Sequence, residues 1–343
     1  MPCEFRGLGR RRRHASQTPL HVFPDQLMTS HRQQGLTLVE LMVSMAIGLV
    51  VIGAVFVNYL NSSVGSRYAA AMVQVTDDAS LAMGILRNHI AMAGYSSPTG
   101  IDADGVLQRQ FSGVFILGCD GGFVDTTADK TNPEEVTCAT GATADAAPDS
   151  ILIRYEADKS NAPVVNNMPA DCIGSALTSN GSIMDNRFGI DAVKQELECL
   201  GNGGTPAGSP KLTTPKQPLL DNVVDMQITY GMSNSVAGKP GNSVVRYVKA
   251  SDVALPGSSS WQDKWKNVIS VRVCLLVRSA KPVLDQGATY VDCNNTRQPL
   301  TNDRRIYRAF TTTITLNNRI SNKDPTPPTP TAPTTPTTPT PAP

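Results

Sequence analysis

The sequence predicts an α+β protein in which one long N-terminal helix packs on an antiparallel β-sheet of a disulfide-stabilised head. Three observations predict this class. Residues 36–97 contain no proline, so a helix can run for about 60 residues, or roughly 90 Å. Segments that alternate strictly between apolar and polar residues, typical of strands, cluster towards the C-terminus. Six cysteines follow the apolar segment, and an even number in that position indicates disulfides and an oxidising compartment.

The length and charge of the chain limit what it can be. A chain of 343 residues has room for one or two domains. The net charge of +1 is misleading, because residues 1–35 contain six arginines and only two acids. Without them the chain has 24 basic and 27 acidic residues, a net charge of −3. No clustered basic face for nucleic acid is present.

The first element is a membrane-length apolar segment. Its 22 residues, 36–57, are apolar apart from Thr37, Ser44 and one charged residue, Glu40. About 20 apolar residues in a helix span a bilayer. A carboxylate within such a segment is costly and is usually functional.

Gly35, four residues and then Glu40 at the start of this segment resemble the class III signal of type IV pilins and pseudopilins. The resemblance implies that a prepilin peptidase cleaves between Gly35 and Leu36 and N-methylates Leu36, where the family usually has phenylalanine. It also implies that Glu40 pairs with the methylated amine of a neighbouring subunit. An ordinary signal anchor is the alternative, and it leaves both Gly35 and Glu40 unexplained.

The leader, residues 1–35, is long for a prepilin. Met28 begins a short basic leader of the usual kind, so translation starting at Met28 and a genuine extended leader both stay open. In either case Arg32 favours the cytoplasmic side of the membrane, because basic residues stay on that side.

We divide the predicted helix into a transmembrane and assembly half, 36–60, and an amphipathic half, 61–97. In the second half five apolar residues lie on one face of the helix: Val75, Ala79, Ala82, Leu86 and Ile90. Gly94 is expected to end the helix. The ending from Arg87 to Tyr95, Arg-x-x-Ile-x-x-Ala-Gly-Tyr, resembles that of the PilW group of minor pilins.

The globular head is predicted to occupy residues 98–320. We expect residues 98–220 to form a loop-rich insert with two strands, one at 114–117 and one, half-buried, at 149–156. Four further strand candidates have alternating patterns and hairpin-length connections, and they predict an antiparallel sheet that the helix stripe covers on one face. These candidates are 224–230, 244–248 after a turn at Pro240–Gly241, 269–277 and 310–316.

The C-terminal strands also resemble PilW-type minor pilins. The matching elements are a strand ending in Tyr-Gly, a Val-x-x-Tyr strand, a tryptophan and a Val-x-x-Val-Arg-Val strand: Tyr230–Gly231, Val244–Tyr247, Trp265 and Val268–Ser279. The resemblance covers about 35–97 and 221–317 and implies a type IV pilin-like fold; 98–220 has no match. Trp261 and Trp265 are expected to pack in the protein rather than to bind a ligand.

We expect cysteines that are neighbours in the sequence to pair, although six cysteines allow 15 connectivities. The expected pairs are Cys119–Cys138, Cys172–Cys199 and Cys274–Cys293. A zinc site would need CxxC-type spacing or several histidines, and His89 is the only histidine after residue 35. The sequence therefore predicts no metal and no cofactor.

The C-terminal residues 321–343 are predicted to form a polyproline-II or disordered tail. Residues 325–343 consist of nine prolines, eight threonines and two alanines. A plain linker is one interpretation. O-glycosylation or a partner site on the Thr-Pro repeats is the other.

The function predicted from the sequence is structural rather than enzymatic. A single histidine removes most Ser-His and Cys-His arrangements, and no phosphate-binding loop is present. The resemblance implies a minor pilin that primes type IV pilus assembly for twitching motility. A bulky head fits poorly into a repeating shaft, which favours a place at or near the tip.

By the same resemblance, the partners are other minor pilins and pilus subunits, the prepilin peptidase, the inner-membrane assembly platform and a large tip adhesin. The protein is expected in the bacterial inner membrane with its head in the periplasm, and then in the pilus. Three alternatives stay open: a J-like pseudopilin of type II secretion, a binding module with 98–220 as an adhesin insert, and a signal-anchored periplasmic enzyme.

Overall fold

The computed structural model describes residues 35–101, 103, 107–111, 113–141, 147–236, 239–253 and 265–318. The chain divides into two compact units, residues 1–59 and 60–343. Several predictions lie outside the described residues: those for the leader before Gly35, for Trp261 and for the tail after residue 318.

The single α-helix of the described residues, α1, runs from Leu38 to Met92 without interruption. In the second unit its buried residues are Ala71 and the predicted stripe, Val75, Ala79, Ala82, Leu86 and Ile90. Gly94 ends the helix as predicted. Its φ of +74° suits glycine, and its N–H donates to the carbonyl oxygen of Arg154 at 3.0 Å.

Fifteen strands follow α1 in the described part of the chain. In chain order they are β1 (Pro98–Ile101), β2 (Leu107–Arg109), β3 (Ile116–Cys119), β4 (Ser150–Ala157), β5 (Val164–Val165), β6 (Met168–Pro169), β7 (Ser182–Asp191), β8 (Glu196–Gly201), β9 (Gln217–Asp221), β10 (Val223–Val236), β11 (Lys239–Val248), β12 (Val268–Arg278), β13 (Thr289–Val291), β14 (Arg297–Pro299) and β15 (Tyr307–Thr315). Short 3-10 helices lie at Pro133–Glu135 and Ala250–Asp252.

The predicted C-terminal sheet is present, with four antiparallel strands in the order β11-β10-β12-β15. In β12, Val271, Val273 and Leu275 lie in the core cluster as predicted. Of the intervening residues Arg272 is exposed, but Ser270, Cys274 and Leu276 are buried, so both faces of most of this strand are covered. The predicted turn at Pro240–Gly241 is wrong, because both residues lie within β11. A proline is tolerated there because β11 is an edge strand.

The expectation that 98–220 is a loop-rich insert is also wrong. This region forms a second antiparallel sheet of five strands, in the order β3-β4-β7-β8-β9. β4 is covered on both faces rather than half-buried. The sequence of β7 does not show the alternating pattern of a strand, because three consecutive polar residues are buried in it: Asp185, Asn186 and Arg187.

The buried polar residues of β7 are paired, which allows their burial. Arg187 donates two hydrogen bonds to the carboxylate of Asp185, at 2.9 and 3.0 Å. Its Nη1 donates to the carbonyl oxygen of Ala128, and its Nη2, which also donates to Asp185, donates to the carbonyl oxygen of Lys130. One buried guanidinium thus ties the 120–131 loop to the sheet.

The core of the second unit is a single cluster to which α1 and both large sheets contribute. Leu86 and Ile90 of the helix stripe are completely buried in it. We expected the stripe to cover one face of one sheet, but it packs in a cluster shared by two sheets. Small residues at Ala79 and Ala82 allow this close approach.

The six cysteines form three disulfides, each between neighbours in the sequence: Cys119–Cys138, Cys172–Cys199 and Cys274–Cys293. Each joins a strand to a loop. The last one fastens β12 to the connection between β13 and β14. All three stabilise the head by reducing the conformational entropy of the unfolded chain.

His89 links α1 to the five-stranded sheet. Asn186 accepts a hydrogen bond from the Cys172 N–H through Oδ1, so its amide nitrogen faces His89 Nδ1 at 3.1 Å. Nδ1 must therefore accept, which requires a neutral ring. Burial lowers the pKa of His89 to about 4, because charging a desolvated imidazole is unfavourable.

His89 is predicted to weaken the fold as the pH falls from 6.5 towards 4. Between these pH values His89 is protonated in the unfolded chain but neutral in the folded chain. The free energy of unfolding that His89 contributes above pH 6.5 is therefore lost as the pH falls. The loss between pH 7 and pH 5 should be about 2 kcal/mol. Urea unfolding measures this loss. The free energy of unfolding of the chain minus that of His89→Gln should be about 2 kcal/mol larger at pH 7 than at pH 5.

The comparison with His89→Gln is needed because the contribution of Asp149 to stability has the opposite dependence on pH. Burial raises the pKa of Asp149 to about 7, so its contribution is lost as the pH rises through 7. Both chains contain Asp149, and its effect cancels in the difference. A titration midpoint near 6.5 for the one histidine after Gly35, measured by NMR, would contradict the prediction.

Gly118 makes room for a buried tyrosine between the sheets. A Cβ at Gly118 would overlap the ring and the hydroxyl group of Tyr230. Tyr230 is 1% exposed and meets Trp265 edge to face, with 4.9 Å between ring centroids. Among the described residues its hydroxyl group has no hydrogen-bond partner.

Gly118→Ala should therefore destabilise the head by about 1–3 kcal/mol, because the packed tyrosine must move. Gly100→Ala is the matched control, since a Cβ on Gly100 meets no atom within 4 Å. Tyr230→Phe should be neutral or stabilising, because it removes an unpaired buried hydroxyl group. Equal melting temperatures for the two glycine variants would show that this contact is not tight.

Candidate functional site

The residues predicted to be processed lie in an accessible, non-helical segment. Residues 35–37 precede α1, and Leu36 is 75% exposed. A Cβ on Gly35 would meet no atom within 4 Å, and its φ is not in the left-handed region. The fold therefore does not require glycine at this position, so a requirement for it must come from outside the chain.

Thr37 and Glu40 form a reciprocal cap at the start of α1. The Glu40 N–H donates to Thr37 Oγ1 at 3.2 Å, and the Thr37 N–H donates to Glu40 Oε2 at 3.4 Å. The Leu41 N–H donates to the Thr37 carbonyl oxygen at 3.2 Å, which makes Thr37 the N-cap residue. This is the capping box, Ser/Thr-x-x-Glu.

Glu40 is the only charged residue between Gly35 and Arg67. In the described part of the chain its carboxylate has no cationic partner; besides the Thr37 N–H it contacts Thr37 Oγ1, at 3.3 Å. The side chains around it along the helix are apolar and exposed, among them Leu38, Val39 and Met42. Glu40 is thus an anion among exposed apolar side chains.

The first unit contains the one described helical segment that is long and apolar enough to cross a membrane. No residue in the most apolar stretch of this segment is buried. The 22 residues 36–57 would cover about 33 Å as a helix, close to the roughly 30 Å of a bilayer core. A helix that is apolar on all sides needs lipid or other helices around it.

The sequence predicts Gly35, Leu36 and Glu40 as processing and assembly residues. In the structure Gly35 and Leu36 precede α1, and Glu40 lies in its first turn. Sequence reasoning missed the role of Thr37, which was treated only as a polar exception in the apolar segment. The four-residue signal Thr37-Leu38-Val39-Glu40 was visible in the sequence and could have identified the cap. The six cysteines form separate structural pairs in the head.

In the described residues, no group of three His, Cys, Asp or Glu side chains lies close enough to hold a metal ion. His89 is buried in the head and hydrogen-bonded to Asn186, as described above. The structure therefore supplies no candidate metal centre among these residues.

The residues that resemble the PilW group contact one another in the C-terminal sheet. Gly231 lies opposite Ser270, whose Oγ would overlap a Cβ on the glycine. Ser270 donates to the Tyr247 hydroxyl group at 3.2 Å, and the Arg272 guanidinium lies 3.9 Å from the Tyr247 ring centroid. The motif thus specifies how three strands pack.

Comparison with known protein families gives two matches. The model of the type IV pilus-assembly protein W, PilW, matches residues 188–318, which contain this packed motif. The prokaryotic N-terminal methylation motif matches residues 30–56, which contain Gly35, Leu36 and Glu40. These two matches, which together cover less than half of the chain, support its similarity to PilW-type minor pilins.

Other comparisons add little to this assignment. No curated protein matches the sequence. Among solved structures, the type IV-like pilin TTHA1219 from Thermus thermophilus is 12% identical, with a TM-score of 0.36, over 72% of this chain and 99% of that chain. A likeness this weak supports no conclusion about function.

Proposed function

We propose that this protein is a minor pilin that primes type IV pilus assembly and lies at or near the pilus tip. It enters the pilus through α1, after cleavage behind Gly35 and N-methylation of Leu36. The observation that carries the proposal is the unpaired Glu40 carboxylate in an exposed apolar helix. Before assembly the same helix anchors the protein in the inner membrane.

The chemistry of Glu40 explains how a subunit would join the pilus. When the helix moves from the membrane into a helical bundle, the apolar surface of 36–57 exchanges lipid neighbours for protein neighbours of similar polarity. The hydrophobic effect therefore does little to select the correct register between neighbouring helices. Leaving a carboxylate unpaired in that environment costs several kcal/mol. The methylated amine of a neighbouring Leu36 would satisfy it, and this pairing selects the register.

The head supports a position outside the repeating shaft. Its described residues form two large sheets and three two-stranded sheets, β1–β2, β5–β6 and β13–β14, in addition to the core that α1 completes. Such a head is difficult to stack along a fibre but is unobstructed at an end. We therefore propose that its partners are other minor pilins, the inner-membrane assembly platform and a tip adhesin, and that it has no enzymatic activity.

The three disulfides support a periplasmic head, because disulfides persist in oxidising compartments. The head is proposed to fold there while residues 36–57 remain in the inner membrane. Cleavage on the cytoplasmic side by the prepilin peptidase would follow, since Gly35 lies at the other end of the span.

Substitution of Gly35 by leucine should leave the leader uncut, because the glycine is required by the peptidase and not by the fold. Intact-mass measurement of the membrane-extracted protein should then give the full-length chain in place of one that begins with N-methyl-leucine at Leu36. Gly48→Ala is the control, since Gly48 also has no neighbours within 4 Å. Normal processing of Gly35→Leu would contradict the proposal.

The two roles of Glu40, as helix cap and as buried charge, can be separated by two substitutions. Glu40→Gln keeps a capping-box acceptor, since Glu and Gln both serve there, but removes the charge. It should abolish incorporation into sheared pili and leave membrane insertion intact. Thr37→Ala keeps the charge but removes the cap, at a cost of about 1 kcal/mol, and should still be incorporated.

Immunoblots of pili and membrane fractions from strains that carry each variant give the readout. If Thr37→Ala fails and Glu40→Gln is incorporated normally, Glu40 acts only as a cap. Restoration of twitching in a strain that lacks its own minor pilin would distinguish a pilus role from a type II secretion role.

A further inference from the structure

A cavity of about 620 Å³ lies in the second unit beside the β13–β14 hairpin. Three tyrosines from distant parts of the chain line it: Tyr68 of α1, Tyr290 of β13 and Tyr307 of β15. The rings of Tyr290 and Tyr307 are stacked, with 4.7 Å between centroids and 24° between planes. Tyr68 is 43% exposed, so an aromatic surface is accessible there.

The walls of this cavity are held in place within the head. The disulfide Cys274–Cys293 fastens the hairpin to β12. The Tyr307 hydroxyl group donates to Asp303 Oδ2 at 2.6 Å, and Arg297 donates to Thr289 Oγ1 across the hairpin at 3.2 Å. A ligand would therefore find the tyrosine surface already formed, which reduces the entropy lost on binding.

The C-terminal tail has a regularity that its composition does not reveal. Five of its prolines recur at every third residue: Pro327, Pro330, Pro333, Pro336 and Pro339. A polyproline-II helix has three residues per turn, so in this conformation all five would lie on one face. Proline-rich segments of this conformation dock in grooves lined by aromatic side chains.

The position where the tail begins allows it to reach the cavity. The Asn318 side chain donates to the carbonyl oxygens of Ala91 and Met92, which places the last described residue at the end of α1. Tyr68 lies 24 residues before Met92 on the same helix, or about 36 Å. Residues 319–330 in polyproline-II conformation would span about 37 Å.

We propose that the chain's own Thr-Pro tail folds back along the head and docks its proline face on the tyrosines of this cavity. The middle of the proline face, at Pro330 and Pro333, reaches the level of Tyr68. Residues 325–343 contain no charged residue, so the contact is apolar stacking of proline rings on aromatic rings. The tail then covers the aromatic surface of its own head.

The test uses the processed chain, a variant that stops after Asp324, and a labelled peptide of residues 325–343. The peptide should bind the shortened chain. It should bind the full chain at least about tenfold more weakly, because a tethered tail competes at high effective concentration. Tyr290→Ala in the shortened chain should weaken binding about fivefold, the scale of one lost aromatic contact.

Two peptides provide the matched control. One replaces Pro330, Pro333 and Pro336 on the proline face by alanine and should lose binding. The other replaces Pro325, Pro328 and Pro341, which lie off the face, and should retain it. Thermal unfolding of Tyr290→Ala checks that the head is folded.

A photo-reactive residue at position 333 of the full chain gives a second measurement that needs no tyrosine variant. It should form cross-links within the same molecule to the segment 284–309. Absence of peptide binding to the shortened chain would overturn the proposal, as would equal binding by the full and shortened chains. Cross-links only between molecules would also overturn it, because the site would then accept the tail of a second copy.

Discussion

The fold of the head depends on one narrow stripe of α1. Five residues, from Val75 to Ile90, are almost completely buried in a cluster that includes residues of both large sheets. Without the helix neither sheet has a complete core. Two of the five are alanines, Ala79 and Ala82, and a larger residue at either position would separate the helix from the strands. Because a close-packed core does not tolerate added volume, this face of the helix is constrained for folding and is not free for binding.

Buried polar groups determine the loops that surround this core. Asp171 accepts from the N–H groups of Ser175 and Gly203, and Asp149 accepts from those of Gly121 and Ile228. Arg187 anchors the 120–131 loop in the same manner. In each case a polar side chain replaces water as the hydrogen-bond partner of main-chain groups. The head is therefore held by its apolar cluster, by disulfides and by these side chains that act as local braces.

These contacts separate the residues that specify the fold from those that do not. The residues that resemble the PilW group in the C-terminal sheet, Gly231, Tyr247, Ser270 and Arg272, are engaged with one another and specify strand packing. The features that packing within the head does not explain are at the N-terminus: a glycine without neighbours, an exposed apolar helix and, among the described residues, a carboxylate without a cation. Under the proposed function they serve the peptidase, the lipid and the neighbouring subunit. The stacked tyrosines beside β13–β14 are a further surface that the core of the head does not use.

The sequence by itself determined the elements whose signals are local. These are α1 with its stripe, its stop at Gly94 and the four C-terminal strands, since periodicity and backbone freedom are readable over a few residues. The roles of Gly35, Leu36 and Glu40 stay predictions from charge and spacing. Only the tertiary structure decided the five-stranded sheet, because β7 buries Asp185 and Arg187 against the usual pattern, and Arg187 also binds carbonyl oxygens of Ala128 and Lys130, more than 50 residues away. The tyrosine-lined cavity was equally hidden. Tyr68 and Tyr290 are more than 200 residues apart, and they come to line one cavity only once the chain has folded around its helix.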